Sequence, residues 1–293
     1  MKTQKTSFKV ALWALALILF ISMMSPIFES NKLSAAASSS HFGAEASPNV
    51  VGDDYSASYT VDYDYKVVNE KYRVTPGLVT SYGVTDTFLE NGCTAVAGGN
   101  VVGYYDRYST NLIPNFEPGM LSNGYYLYLP NIGMDAIDNM ILKLANLMNV
   151  NKVQPGATEA DFVNGLTTYV HNQGYSISFK SFHSSANNVN LSALQQMING
   201  RKVGVIFCTE YNFVYSITHN SAGTSTSVAK RNLPIAHAMM VFGYITIDYY
   251  KNNSKFLSET FLQVSSGFAN GTQGYMKLND YSKIEDALVI DIY

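Results

Sequence analysis

The sequence predicts an α+β fold in which a helical part is followed by an antiparallel sheet. Two observations carry that prediction. Between residues 92 and 199, apolar residues recur at helical spacing in three long stretches and one short one. From Val203 to Tyr293 the chain becomes a run of apolar segments separated by Gly, Asn and Asp. Helices gathered first and strands last, without alternation, indicate segregated layers.

The chain of 293 residues opens on a segment outside that fold. Lys2, Lys5 and Lys9 give a basic start, Val10 to Met24 is apolar apart from Ser22, and Ser34-Ala35-Ala36-Ala37-Ser38 supplies small residues. Residues 1–37 read as a secretory signal peptide, which places the mature protein outside a bacterial cell. The competing reading is an uncleaved anchor, since Ala11 to Phe28 approaches the length of a bilayer span; Ser25 and Pro26 interrupt it. Residues 38–74 read as a linker or short N-terminal extension. Within it, Tyr55, Ala57, Tyr59, Val61, Tyr63, Tyr65 and Val67 share one parity, as in a strand. Residues 75–293 are left as one domain. Without the signal the net charge is about −6. That disfavours nucleic acid, and after cleavage an anionic membrane, as partners.

The first helix is expected over Gly92 to Tyr108, with Ala95, Gly98, Gly99 and Val102 on one face. Gly98-Gly99 costs helix propensity, roughly 1 kcal/mol per Gly, so close approach of another backbone is expected there. Residues 109–130 read as a loop. Met134 to Val150 follows with the stripe Ile137, Ile141, Leu144 and Met148, then Thr158 to Asn172 with Phe162, Leu166 and Tyr169 inside. Thr158, ahead of Glu159 and Asp161, is the expected N-cap. Leu191 to Asn199 is a short helix ended by Gly200. Strands are expected at Val203–Phe207, His237–Ile247, Glu259–Val264, Tyr275–Leu278 and Ala287–Tyr293.

Chemistry centres on Cys93, one of two cysteines, just after Gly92 at the first helix's start. A thiol there faces unpaired backbone N–H groups and the positive end of the dipole, conditions that favour thiolate and nucleophilic attack. The alternative is structural: Cys93 and Cys208 could form one disulfide in an exported protein. His237 lies 144 residues after Cys93 and opens the apolar strand Ala238 to Tyr244, where a polar ring needs a partner. His171, His183 and His219 read as surface residues. For a group to orient His237, Ser265 is preferred over Asp248, which stands 11 residues along the same strand and so tens of ångströms away at ~3.3 Å per residue. The Cys93 backbone N–H can serve an oxyanion, with Asn91 or Thr87 as the side-chain donor.

These residues resemble the bacterial C39-like peptidase group of the papain-like superfamily, and more distantly the streptopain family. The matching pieces are Asn91-Gly92-Cys93-Thr94-Ala95-Val96-Ala97 with Gly103-Tyr104-Tyr105-Asp106, then His237 to Tyr244, Phe261 to Phe268, and Gly274-Tyr275. The resemblance spans roughly residues 75–293. It implies a papain-like fold, Cys93 as nucleophile, His237 as base, an extracellular peptide or protein substrate, and no cofactor or metal. Two positions depart from it: Thr87 replaces the Gln expected six residues before the cysteine, and Ser265 replaces the Asn or Asp expected to orient the histidine. The second reading is therefore a catalytically impaired relative serving as an extracellular binding or adhesion module. A third keeps the Cys-His chemistry and directs it to peptidoglycan.

Overall fold

The helices form where apolar spacing and capping place them. The computed structural model describes residues 57–61, 64–72, 91–109, 111–116, 119–120, 126–127, 134–185, 188–219, 226–233, 236–267, 273–277 and 283–293. Its helices are α1 (Cys93–Asp106), α2 (Met134–Leu147), α3 (Glu159–Asn172) and α4 (Leu191–Asn199). Thr158 caps α3 as a capping box: its Oγ1 accepts from the Asp161 N–H at 3.1 Å, and the Asp161 carboxylate accepts from the Thr158 N–H at 3.3 Å. The predicted stripes are buried, with Ile137, Ile141, Leu144 and Met148 of α2 meeting Phe162, Leu166 and Tyr169 of α3 in one core that includes α1. The expected signal and residues 38–54 lie outside the described residues.

The strands are β1 (Ala57–Val61), β2 (Asp64–Tyr72), β3 (Gly119–Met120), β4 (Tyr126–Leu127), β5 (Ile177–Ser181), β6 (His183–Ser185), β7 (Asn188–Val189), β8 (Val203–His219), β9 (Thr226–Leu233), β10 (His237–Lys251), β11 (Ser254–Ser265), β12 (Gln273–Lys277) and β13 (Lys283–Ile292). Nine form one sheet in the order β1-β9-β8-β12-β11-β10-β2, with β13 on β8 and β5 on β13; β3–β4 and β6–β7 are separate hairpins. All pairings in the large sheet are antiparallel. The protein is thus mixed α+β with an antiparallel sheet. The 55–74 region contributes two strands, β1 beside β9 and β2 beside β10.

β8 holds this sheet together. It is 17 residues long, far past the expected end at Phe207. Its first part pairs with both β10 and β13, and its later part with β9 and β12. Because β10 also reaches β12 through β11, the strands β8, β12, β11 and β10 close on one another as a ring. Closure removes exposed edges from these four strands. Strand alternation divides the apolar residues between two cores. Val203, Val205, Phe207, Ala238, Met240 and Phe242 face the core of α1, α2 and α3. Ile206, Cys208, Met239, Val241, Leu262, Val264 and Met276 face a second core covered by α4.

The glycine pair of α1 is explained differently from its expectation. A Cβ at Gly98 would come within 2.8 Å of Met148 Cε, and one at Gly99 within 3.1 Å of Ile141 Cγ1. Side chains of α2 and its C-terminal turn fill these positions, not a backbone. The backbone approach occurs at Gly165 of α3, where a Cβ would lie 2.8 Å from the Met148 nitrogen and 2.9 Å from the Leu147 carbonyl carbon. Gly165→Ala is expected to destabilise the fold by about 2 kcal/mol through overpacking, read as a lowered thermal midpoint. Gly174→Ala, at φ +86° with nothing within 4 Å, is expected to cost less, about 1 kcal/mol of left-handed strain.

Candidate active site

Two tyrosine contacts help fix how α1 lies on the sheet. At its C-terminal end, the Tyr104 hydroxyl donates to the Arg201 carbonyl at 3.1 Å and the Tyr105 hydroxyl to the Ile290 carbonyl at 2.7 Å. Ile290 pairs with Val203, so that end of α1 sits at the start of β8. The helix rises about 18 Å from Cys93 to Tyr105. The five steps of β8 from Val203 to Cys208 rise about 17 Å. The start of α1 lies near the Cys208–His237 pair of the β8–β10 ladder, because Val96 of its first turn packs on Gly267, next to the Ser266 carbonyl that His237 contacts. Consistent with this, the Cys93 sulfur helps push the Cys208 pKa up, after burial as the main cause. Both cysteines are reduced, buried thiols, so the alternative of a disulfide is not realised.

The N-terminus of α1 is bare of capping side chains. Gly92 occupies the N-cap with no side-chain hydrogen bond, and the first turn carries no acid. The positive end of the dipole is left to whatever sits on Cys93. Thr94, next in the turn, is fully buried and its Oγ1 has no hydrogen-bond partner. Sequence patterns gave no signal for this hydroxyl; it is a further donor beside the thiol. Asn91 adopts φ 59°, and its Nδ2 donates to Asn151 Oδ1 at 3.3 Å on an exposed turn. Thr87 lies outside the described residues.

His237 is wholly buried at the first position of β10. Its Nε2 stands 2.7 Å from the Ser266 carbonyl oxygen. A carbonyl only accepts, so in the neutral ring Nε2 carries the proton and Nδ1 is the basic nitrogen. The orienting contact thus comes from main chain one residue past Ser265. Ser265 is itself buried, with its Cα opposite Met240. No sequence pattern reports which carbonyl faces a ring. The backbone reaches this position through Gly267 at φ +73°, where a Cβ would meet Val96 Cγ1 at 3.1 Å. The chain leaving β11 therefore rests on the first turn of α1, and Ser266 links that turn to the imidazole.

Burial dominates the electrostatics. Loss of water pushes the His237 pKa down to about 4, against the smaller opposing effect of the Ser266 carbonyl. Alternation along β10 puts His237 on the same face as Met239, Val241 and Cys208, opposite to Ala238 and Met240. The Cys208 thiol donates to the His237 carbonyl at 3.4 Å. Of the competitors, His171 is exposed, His183 is half-buried in β6, and the His219 side chain lies outside the described residues. Asp248 ion-pairs with Lys255 at 3.2 Å, far along the hairpin. Among the described residues no group of three or more His, Cys, Asp or Glu could hold a metal, and no helix is long and apolar enough to cross a membrane.

Two outcomes follow for this site. Gly267→Ala should lower stability by about 1–2 kcal/mol from left-handed strain and the Val96 contact. The imidazole signal in NMR should shift as the Ser266 carbonyl moves. The depressed His237 pKa means the unfolded chain takes up the proton first. Stability should fall as pH drops from about 6.5 to about 4 and lose nothing further from this residue below that, for a total of about 3 kcal/mol. Urea midpoints across that range should show this loss in the native chain and not in His237→Gln; parallel curves would refute it. No family model matches the sequence, and no curated protein matches it either.

Proposed function

We propose that this chain is an exported thiol peptidase of papain-like fold, with Cys93 as nucleophile and His237 as base. The supporting observation is the joint at Ser266 and Gly267: Gly267 rests on the first turn of the helix that bears the Cys93 thiol, bare of other caps, and the Ser266 carbonyl fixes the tautomer of the imidazole at the start of β10. In the reaction, His237 Nδ1 takes the Cys93 proton as sulfur attacks the carbonyl carbon of a peptide bond. The oxyanion is met by the Cys93 N–H, with the Thr94 hydroxyl as a second donor. Imidazolium returns the proton to the departing amine as the C–N bond breaks. Water, deprotonated by His237, then attacks the thioester and releases the acid and the thiol. The neutral resting imidazole suits a base that is charged only during turnover.

The second reading is a non-catalytic extracellular binding module on the same scaffold. It is favoured by the burial of Cys93 at 1% and His237 at 0% exposure, and by a ring that alternation turns away from the face on which α1 packs. Alkylation separates the two. On the folded full chain, iodoacetamide should modify Cys93 at least tenfold faster than Cys208, and Cys93→Ala should abolish hydrolysis of a quenched casein substrate. Slow, equal labelling of both thiols together with no hydrolysis would establish the binding module instead.

A further inference from the structure

The geometry points to a second binding site, remote from Cys93, that takes the C-terminal carboxylate of a peptide. It is a cleft of about 380 Å³ between α2 and α3, with Pro114 and Asn115 also in its lining. Ala136, Asn139, Met140 and Lys143 fall at i, i+3, i+4 and i+7 of α2 and so present a single stripe to it. From α3, Tyr169 forms part of the wall. Its ring is 1% exposed, and its hydroxyl donates to the Leu112 carbonyl at 3.0 Å, so it is fixed in place.

Lys143 is the one cation of the lining, and its Nζ stands 5.3 Å from the centre of the Tyr169 ring. A ring face holds an ammonium without neutralising it. Among the described residues no carboxylate pairs with Lys143, and the lining contains no acid. Asp106, the carboxyl whose charge acts on Tyr169, is buried and accepts from the Ile113 N–H at 2.7 Å. Among the described residues, the side-chain amides of Asn115 and Asn139 make no hydrogen bonds. An amide side chain both donates and accepts, as a peptide group does. Met140 and Ala136 add an apolar floor. A carboxylate, an adjacent amide and an apolar side chain are what the last residue of a peptide offers, and the volume suits one or two residues. The cleft adjoins the Asp106 end of α1, about 20 Å along the helix from Cys93. The assignment therefore holds whether or not Cys93 is a nucleophile.

The test titrates the full chain with N-acetyl-alanyl-leucine, its C-terminal amide, and acetate, followed by amide chemical shifts. The free acid should bind and shift residues around Asn139 and Gln173, with the peptide amide and acetate each at least tenfold weaker. Lys143→Gln, an exposed substitution, should lose the same tenfold. Asn139→Asp, which sets a negative charge one turn from Lys143, should do likewise. Equal binding of acid and amide, equal binding of acetate, indifference to both substitutions, or no binding at all would overturn the assignment.

Discussion

The pairing of Ala238–Val241 with Gly204–Phe207 is the constraint on which the remaining arrangement depends. It turns an open antiparallel meander into a closed set of four strands. It also decides which residues share a level. Once β8 and β10 are in register, His237 must lie opposite Cys208, and the two apolar faces must divide as observed, because a slip of one residue would exchange every side chain between cores. Gly204 carries part of this. A Cβ there would stand 2.7 Å from the Leu288 carbonyl and 3.0 Å from Met197, so β8 can be hydrogen-bonded on both edges only with glycine at that point.

The helix is then positioned by polar contacts at one end and apolar contact at the other. Two tyrosine hydroxyls donate to main-chain carbonyls, bonds of about 1 kcal/mol each. Each also places a large ring in the core. Val96 meets the glycine turn at the opposite end. A displacement of α1 along its axis would break all of these together. The Cys93 level is therefore set by residues a full helix length away, and substitutions near Tyr105 are coupled to the thiol through the rigidity of α1.

How much of this was legible in the sequence depended on whether local spacing or tertiary pairing decided the outcome. Helix α4 matches its expected limits, because Asn190, whose side chain accepts from the Ala193 N–H at 3.0 Å, and Gly200 are local signals. The capping box of α3 was legible for the same reason. The long extensions of β8, β10 and β11 were not, since their polar outer residues are held by pairing with distant strands. β9, with Lys230 and Arg231 in its middle, has no apolar run to announce it. At the site, Cys93 and His237 stood out by type and context. The Ser266 carbonyl and the Gly267 turn did not, because a main-chain acceptor carries no residue identity and a positive φ is only one reason for glycine. The close packing at Gly165 was missed while Gly98-Gly99 drew attention. Two adjacent glycines look exceptional in a helix, yet a single one admits the closer backbone.

The balance of terms at His237 connects these parts. Removing the ring from water costs about 3 kcal/mol if it is to be charged. The main-chain carbonyl returns only a fraction of that, because a dipole stabilises imidazolium less than a carboxylate does. A helix N-terminus contributes up to about 2 kcal/mol for an anion at its first turn, although Cys93 is buried, which opposes its charge. On the proposed peptidase reading, the two effects are of similar size and act on opposite partners of one proton transfer. A substrate that expelled water without adding a charge would leave the pair neutral. One that presented a carbonyl to the Cys93 N–H would shift the proton towards the ring, because the developing oxyanion lies where the dipole acts. On the proposed peptidase reading, this favours charge separation during attack over a standing ion pair, and the Ser266 carbonyl, by fixing which nitrogen is basic, makes the proposed transfer directional.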